Sequence, residues 1–159
     1  MSKRLIAIFI CSALSLIGTS GFAFAGMIGR YECSIIGLPM QDPVGDRTGH
    51  MLVTVQYSCF GVDGLLKGTV HTVSSVSEWD GPQGTFLIGG GTQRAPGGLA
   101  VTQITDGTAS VIKPGGGTES KGTGVFKFAS GTLAALSGKS FKFTTKSTGD
   151  LRFDLEYAD

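Results

Sequence analysis

The chain is poor in the residues that carry most enzymatic chemistry. It has two histidines, His50 and His71, one tryptophan, Trp79, and three cysteines in 159 residues. Neither histidine has a second ligand at metal spacing, so there is no zinc signature and no metal or cofactor is implied. There is no G-x-S-x-G elbow and no Walker loop, because Gly89-Gly90-Gly91-Thr92 lacks the lysine and the following helix that phosphate cradling requires. No long run of either charge sign occurs, which argues against nucleic acid as a partner. Helical periodicity is also missing: the only candidate, 131–137, is a single turn too short to persist without packing. The longest apolar run, Leu5 to Ile17, has thirteen residues, short of what a bilayer-spanning helix needs.

That apolar run has another reading. Lys3 and Arg4 precede it, and Ala23-Phe24-Ala25 supplies a small-x-small site before Gly26, the three parts of a secretory signal peptide. The expected organisation is a leader over 1–25 and a single domain over 26–159, secreted or periplasmic. Cys11 is not read as a lipidation site, since Ile10 stands where a lipoprotein signal carries a small residue. Without Lys3 and Arg4, eleven basic residues face twelve acidic ones, a formal charge of −1. A domain of 134 residues can enclose a core without a metal or a dense disulfide framework. Cys33 and Cys59 remain, addressed to an oxidising compartment, and one disulfide between them is expected; two buried thiols are the alternative.

What the mature chain has in abundance is glycine, 24 residues, separated by Phe, Val, Ile and Thr in period-two order. Such spacing is not a flexible linker; it reads as the turns, bulges and close approaches of a curved sheet. Gly26 to Gly37 reads as a first strand and 37–49 as a long loop. Strands follow over Met51 to Tyr57, Leu66 to Val76 and Gly84 to Ile88, then a glycine-rich loop over 89–98. Leu99 to Thr105 and Thr108 to Lys113 flank Asp106-Gly107, a hairpin signal. A second glycine-rich loop, 114–117, precedes three final strands within Lys121 to Tyr157. In the last, Leu151, Phe153, Leu155 and Tyr157 alternate with Arg152, Asp154 and Glu156, one face apolar and the other charged. The count of about nine short strands predicts an all-β fold, a single antiparallel barrel of about eight strands or a sandwich, with closure favoured because it removes exposed edges.

The segment Gly122-Thr123-Gly124-Val125-Phe126, continued by Ala129-Ser130-Gly131-Thr132-Leu133 and Leu136-Ser137-Gly138, resembles the allene oxide cyclase barrel-like proteins, relatives of the dirigent proteins. The resemblance covers about Gly122 to Phe143. It implies a calycin-like antiparallel barrel with a central cavity. The plant enzymes of that group carry an acidic residue introduced by the first strand; here only Tyr31-Glu32 matches, and no catalytic residue is carried over.

A ligand held in such a barrel would be small and apolar, and the residues expected at its site are Glu32, His71, Trp79, Gln103, Phe126 and Phe141. An isomerase or cyclase acting on an apolar substrate would need a polar group converging in the cavity, with Glu32, His71 or Gln103 as candidates. Phe126, Phe128, Phe141, Phe143, Phe153 and Tyr157 could instead fill the barrel and leave a structural or protein-interaction envelope protein. A small outer-membrane barrel is disfavoured by the glycine-broken strands and by too few Tyr and Trp for girdles, so stable membrane insertion is not expected.

Overall fold

Nine strands and one short 3-10 helix make up the computed structural model, which describes residues 26–112, 115 and 117–159. The expected leader, and Lys113, Pro114 and Gly116 of the second glycine-rich loop, lie outside the described residues. The strands are β1 (Met27–Ile35), β2 (Met40–Pro43), β3 (His50–Gly64), β4 (Val70–Asp80), β5 (Gln83–Ala95), β6 (Gly98–Val111), β7 (Thr118–Gly131), β8 (Ser140–Gly149) and β9 (Arg152–Ala158), with the 3-10 turn Ala134–Leu136 between β7 and β8. Each strand from β3 onward pairs antiparallel with the next, and β1 pairs with both β9 and β3. The result is a closed eight-stranded antiparallel barrel. The extra strand, β2, continues along the same edge of β3 that β1 occupies, after an irregular step at 36–39.

The register sets the width of the barrel. From Glu32 the cross-strand partners run through Asp154, Lys146, Glu119, Ser110, Gln83 and Asp80 to His50, ten residues along β3 from Phe60, the other partner of Glu32. A stagger larger than the strand number tilts the strands strongly and widens the interior beyond what its own side chains must fill.

One end of that interior is solid. Tyr31, Leu66 and Phe126 have no exposed surface, and Leu133, just before the 3-10 turn, and Leu136 within it join them in one core cluster. The Thr69 hydroxyl lies 3.1 Å from that of Tyr31 and donates to the Leu66 carbonyl at 2.7 Å, which satisfies the polar tips buried there. Cys33 and Cys59, direct cross-strand partners on β1 and β3, are joined by a disulfide.

Glycine and aromatic residues are matched across strands. A Cβ on Gly124 would meet the Phe141 ring, and one on Gly122 would lie 2.7 Å from Phe143 Cε1, so the G-x-G of β7 is the seat of the two phenyl rings of β8.

Several sequence expectations are corrected. Asp106-Gly107 is not a hairpin: both lie inside β6, which pairs with β7 throughout, with a bulge between Ile104 and Asp106. Gly107 is there for packing, since its Cβ would sit 3.0 Å from Phe86 and 3.1 Å from Phe143, and its backbone is not left-handed. The glycines 89–91 are likewise strand residues of β5, where Gly89 makes room for Ile104. The loop expected over 37–49 contains β2, and the strand read from Leu66 begins at Val70. Leu151 does not face the core; it is exposed, at φ 56°, in the β8–β9 turn. Phe128 is half exposed on the outside, because a bulge in β7 pairs Phe126 with Thr102 and Phe128 with Val101.

Candidate functional site

Above the solid end, the barrel encloses a cavity of about 440 Å³. Its walls are Met51, Val53, Val55 and Tyr57 of β3, Phe86 of β5, Ile104 of β6, Phe141 and Phe143 of β8, and Phe153 and Leu155 of β9. These side chains share the inward parity of their strands with Ser75, Ser77, Ser120 and Thr145, so alternation lines the space mostly with carbon. Ring pairs stiffen the wall: Tyr57 meets Phe153 edge-on at 5.0 Å, Phe86 meets Phe143 at 5.9 Å, and Phe141 stacks on Tyr157 at 4.3 Å. Val53, Val55, Ile104 and Phe153 remain half-exposed and Val111 and Thr118 are exposed, so the cavity opens at the end carrying the β2–β3 loop.

Trp79 stands in this mouth. Its ring lies on the backbone of Gly84, where a Cβ would come within 2.8 Å of the indole nitrogen, and its Nε1 donates to Ser77 Oγ at 2.8 Å. On the outer side of the rim, His50 is almost wholly buried between two carboxylates: Nδ1 is 2.5 Å from Asp46 and Nε2 is 2.6 Å from Glu78. The hydrogen bond to Asp46 raises the His50 pKa above its ordinary value, with burial opposing and Glu78 adding, and it lowers the Asp46 pKa in turn. Arg47 grips Asp80 through Nε at 3.1 Å and Nη2 at 2.9 Å. These contacts fasten the 44–49 loop to the end of β4 and hold the rim in shape.

The floor of the cavity is polar. His71 has no exposed surface, and burial lowers its pKa to about 3, so the imidazole is neutral at ordinary pH. Its Nε2 lies 3.4 Å from the Tyr157 hydroxyl, whose pKa burial raises, as it does for Tyr31 and Tyr57. Gln93, the cross-strand partner of His71, is also fully buried. Among the described residues no Asp, Glu, Lys or Arg lines the cavity.

Of the residues expected at a ligand site, the structure brings His71, Trp79 and Phe141 together on the cavity lining. Phe126 lies beneath, in the solid end, packed 4.9 Å from Phe141. Glu32 and Gln103 point outward into solvent, away from the lumen. Two buried polar residues at this level, Thr102 on the lining and Gln93 behind it, escape the sequence reading. Gln93 fell inside the segment read as a glycine loop, and Thr102 carries no signal until the bulge beside it fixes its inward parity. No protein-family model, no curated protein and no solved structure matches this chain.

Proposed function

We propose that this is an exported binding protein that holds a small apolar molecule inside its barrel. The observation that carries the reading is the cavity itself: about 440 Å³, walled mostly by aliphatic and aromatic side chains and open at one end. That volume lies within the range of small-molecule sites, which are mostly apolar with a few placed polar groups. Export to a secretory or periplasmic compartment is supported by Lys3 and Arg4, the apolar run and Ala23-Phe24-Ala25, and by the Cys33–Cys59 disulfide. Binding is favoured over acid–base catalysis because the one imidazole inside is a very weak base and the tyrosines hold their protons tightly.

The test uses the single tryptophan. N-phenyl-1-naphthylamine, an uncharged probe that brightens in apolar surroundings, should bind with saturable energy transfer from Trp79. Val55→Phe, which projects a ring into the lumen, should weaken binding at least tenfold while leaving the near-ultraviolet dichroism native. A probe that binds both proteins equally, or neither, defeats the reading.

A further inference from the structure

The polar floor carries more information than the apolar wall. His71 Nδ1, Gln93 Nε2 and Gln93 Oε1 are buried without a hydrogen-bond partner, and the two residues are direct cross-strand neighbours on β4 and β5. Nearly all buried polar atoms in native proteins are paired, because an unpaired one forfeits its hydration for nothing. Here three such atoms fall in one layer, and His71 of that layer lines the cavity together with Tyr157 and Thr102. From this juxtaposition we propose that the occupant is an uncharged apolar alcohol, bound hydroxyl end first against His71, with Gln93 beside the imidazole and off the cavity lining. The inference rests on the barrel being a binding site for an apolar molecule.

The chemistry of the layer selects the head group. A carboxylate or an ammonium would be buried without a counter-ion, since no charged side chain lines the cavity among the described residues. Among neutral groups, a hydroxyl both donates and accepts through one atom. His71 Nδ1 is a donor in one tautomer and an acceptor in the other, depending on whether Tyr157 donates to Nε2 or accepts from it. A hydroxyl satisfies either arrangement; a ketone or ether, which only accepts, satisfies one. Above the floor the walls are mostly carbon; of the hydroxyls among them Ser77 accepts from Trp79, and Ser120 and Thr145 bond each other, and the volume admits about fifteen atoms of the size of a water molecule. The rest of the molecule is therefore short and apolar.

The experiment compares 1-octanol, octane, octanoate and octylammonium by calorimetry, and follows the imidazole nitrogens by two-bond proton–nitrogen correlation spectra. His50, locked on the outer rim by Asp46 and Glu78, is the internal control. We expect 1-octanol to bind about tenfold or more tighter than octane. Octanoate and octylammonium should bind more weakly than 1-octanol. The Nδ1 resonance of His71 should move with 1-octanol and not with octane, while His50 stays still. In His71→Leu the preference of the alcohol over the alkane should shrink and octane should still bind; if that variant does not fold, the spectra of the unsubstituted protein decide. Octane matching 1-octanol, an unmoved Nδ1 or octanoate binding best would overturn the alcohol assignment and leave apolar binding standing. Entry of neither octane nor 1-octanol would overturn both.

Discussion

Phe126 and Phe128 are two residues apart on β7, and plain alternation would put them on one face. The structure separates them, so replacing each by Ala should have unequal costs. Phe126 has no exposed surface and packs against Phe141 at 4.9 Å and Tyr157 at 6.2 Å. Losing a buried phenyl ring costs about 3 to 5 kcal/mol from transfer and cavity terms together. The site adjoins an existing cavity, so the new void merges with it and admits water, which places the expected loss near the lower figure. Phe128 is 51 % exposed beside Val101, and its removal should cost under about 1 kcal/mol. Urea unfolding of the oxidised protein, with equal m-values for the two variants, measures the difference. Equal losses would mean that the bulge in β7 is absent and that both rings face inward.

Other expectations follow from single sites. Burial keeps His71 neutral down to a pKa of about 3, below the ordinary 6.5, so the unfolded chain takes up a proton that the fold refuses. Stability should therefore be flat for this group above about pH 6.5 and fall by up to about 1.4 kcal/mol per pH unit as pH drops toward 3, a slope that His71→Gln should remove in acid titrations of unfolding. Cys33→Ala with Cys59→Ala removes a cross-link spanning 26 residues and should lower stability by about 3.5 kcal/mol in the chain-entropy estimate; a loss near zero by urea unfolding would show that the closed barrel alone restrains these strands. Gly124→Ala places a Cβ within 2.6 Å of Phe141 Cε2, on a ring already stacked against Tyr157, and should cost about 1 to 3 kcal/mol. Gly149→Ala, with open space around its Cβ, should stay within about 0.5 kcal/mol by the same unfolding assay.

Much of the barrel was legible because period two survives wherever a strand is regular. Phe153, Leu155 and Tyr157 turn inward on β9 as their alternation with Arg152, Asp154 and Glu156 requires, and the Cys33–Cys59 pairing needed only two cysteines in one domain. The errors in β5, β6 and β7 share a cause. In a strongly coiled barrel the long strands bend through bulges and glycines, and a bulge exists only with respect to a partner strand, so one sequence cannot reveal it. Asp106-Gly107 therefore imitated a hairpin in the middle of β6, and the glycines of β5 imitated a loop. The same effect hid the site. With β5 interrupted by its glycines, Gln93 has no face in the sequence, and Gln103 reads as a lumen residue although only its neighbours Thr102 and Ile104 point inward. His71, Trp79 and Phe141 are legible because β4 runs in unbroken register with β3, and β8 with β7.

The most direct test of the account is a crystal structure of the protein grown or soaked with 8-bromo-1-octanol, read at the bromine absorption edge. The account predicts one anomalous peak inside the barrel, between Val55, Ile104 and Phe153, with the chain running down to His71. Bromine only on the outer surface, or side chains of Phe141, Phe143 and Phe153 collapsed into a filled lumen, would contradict it.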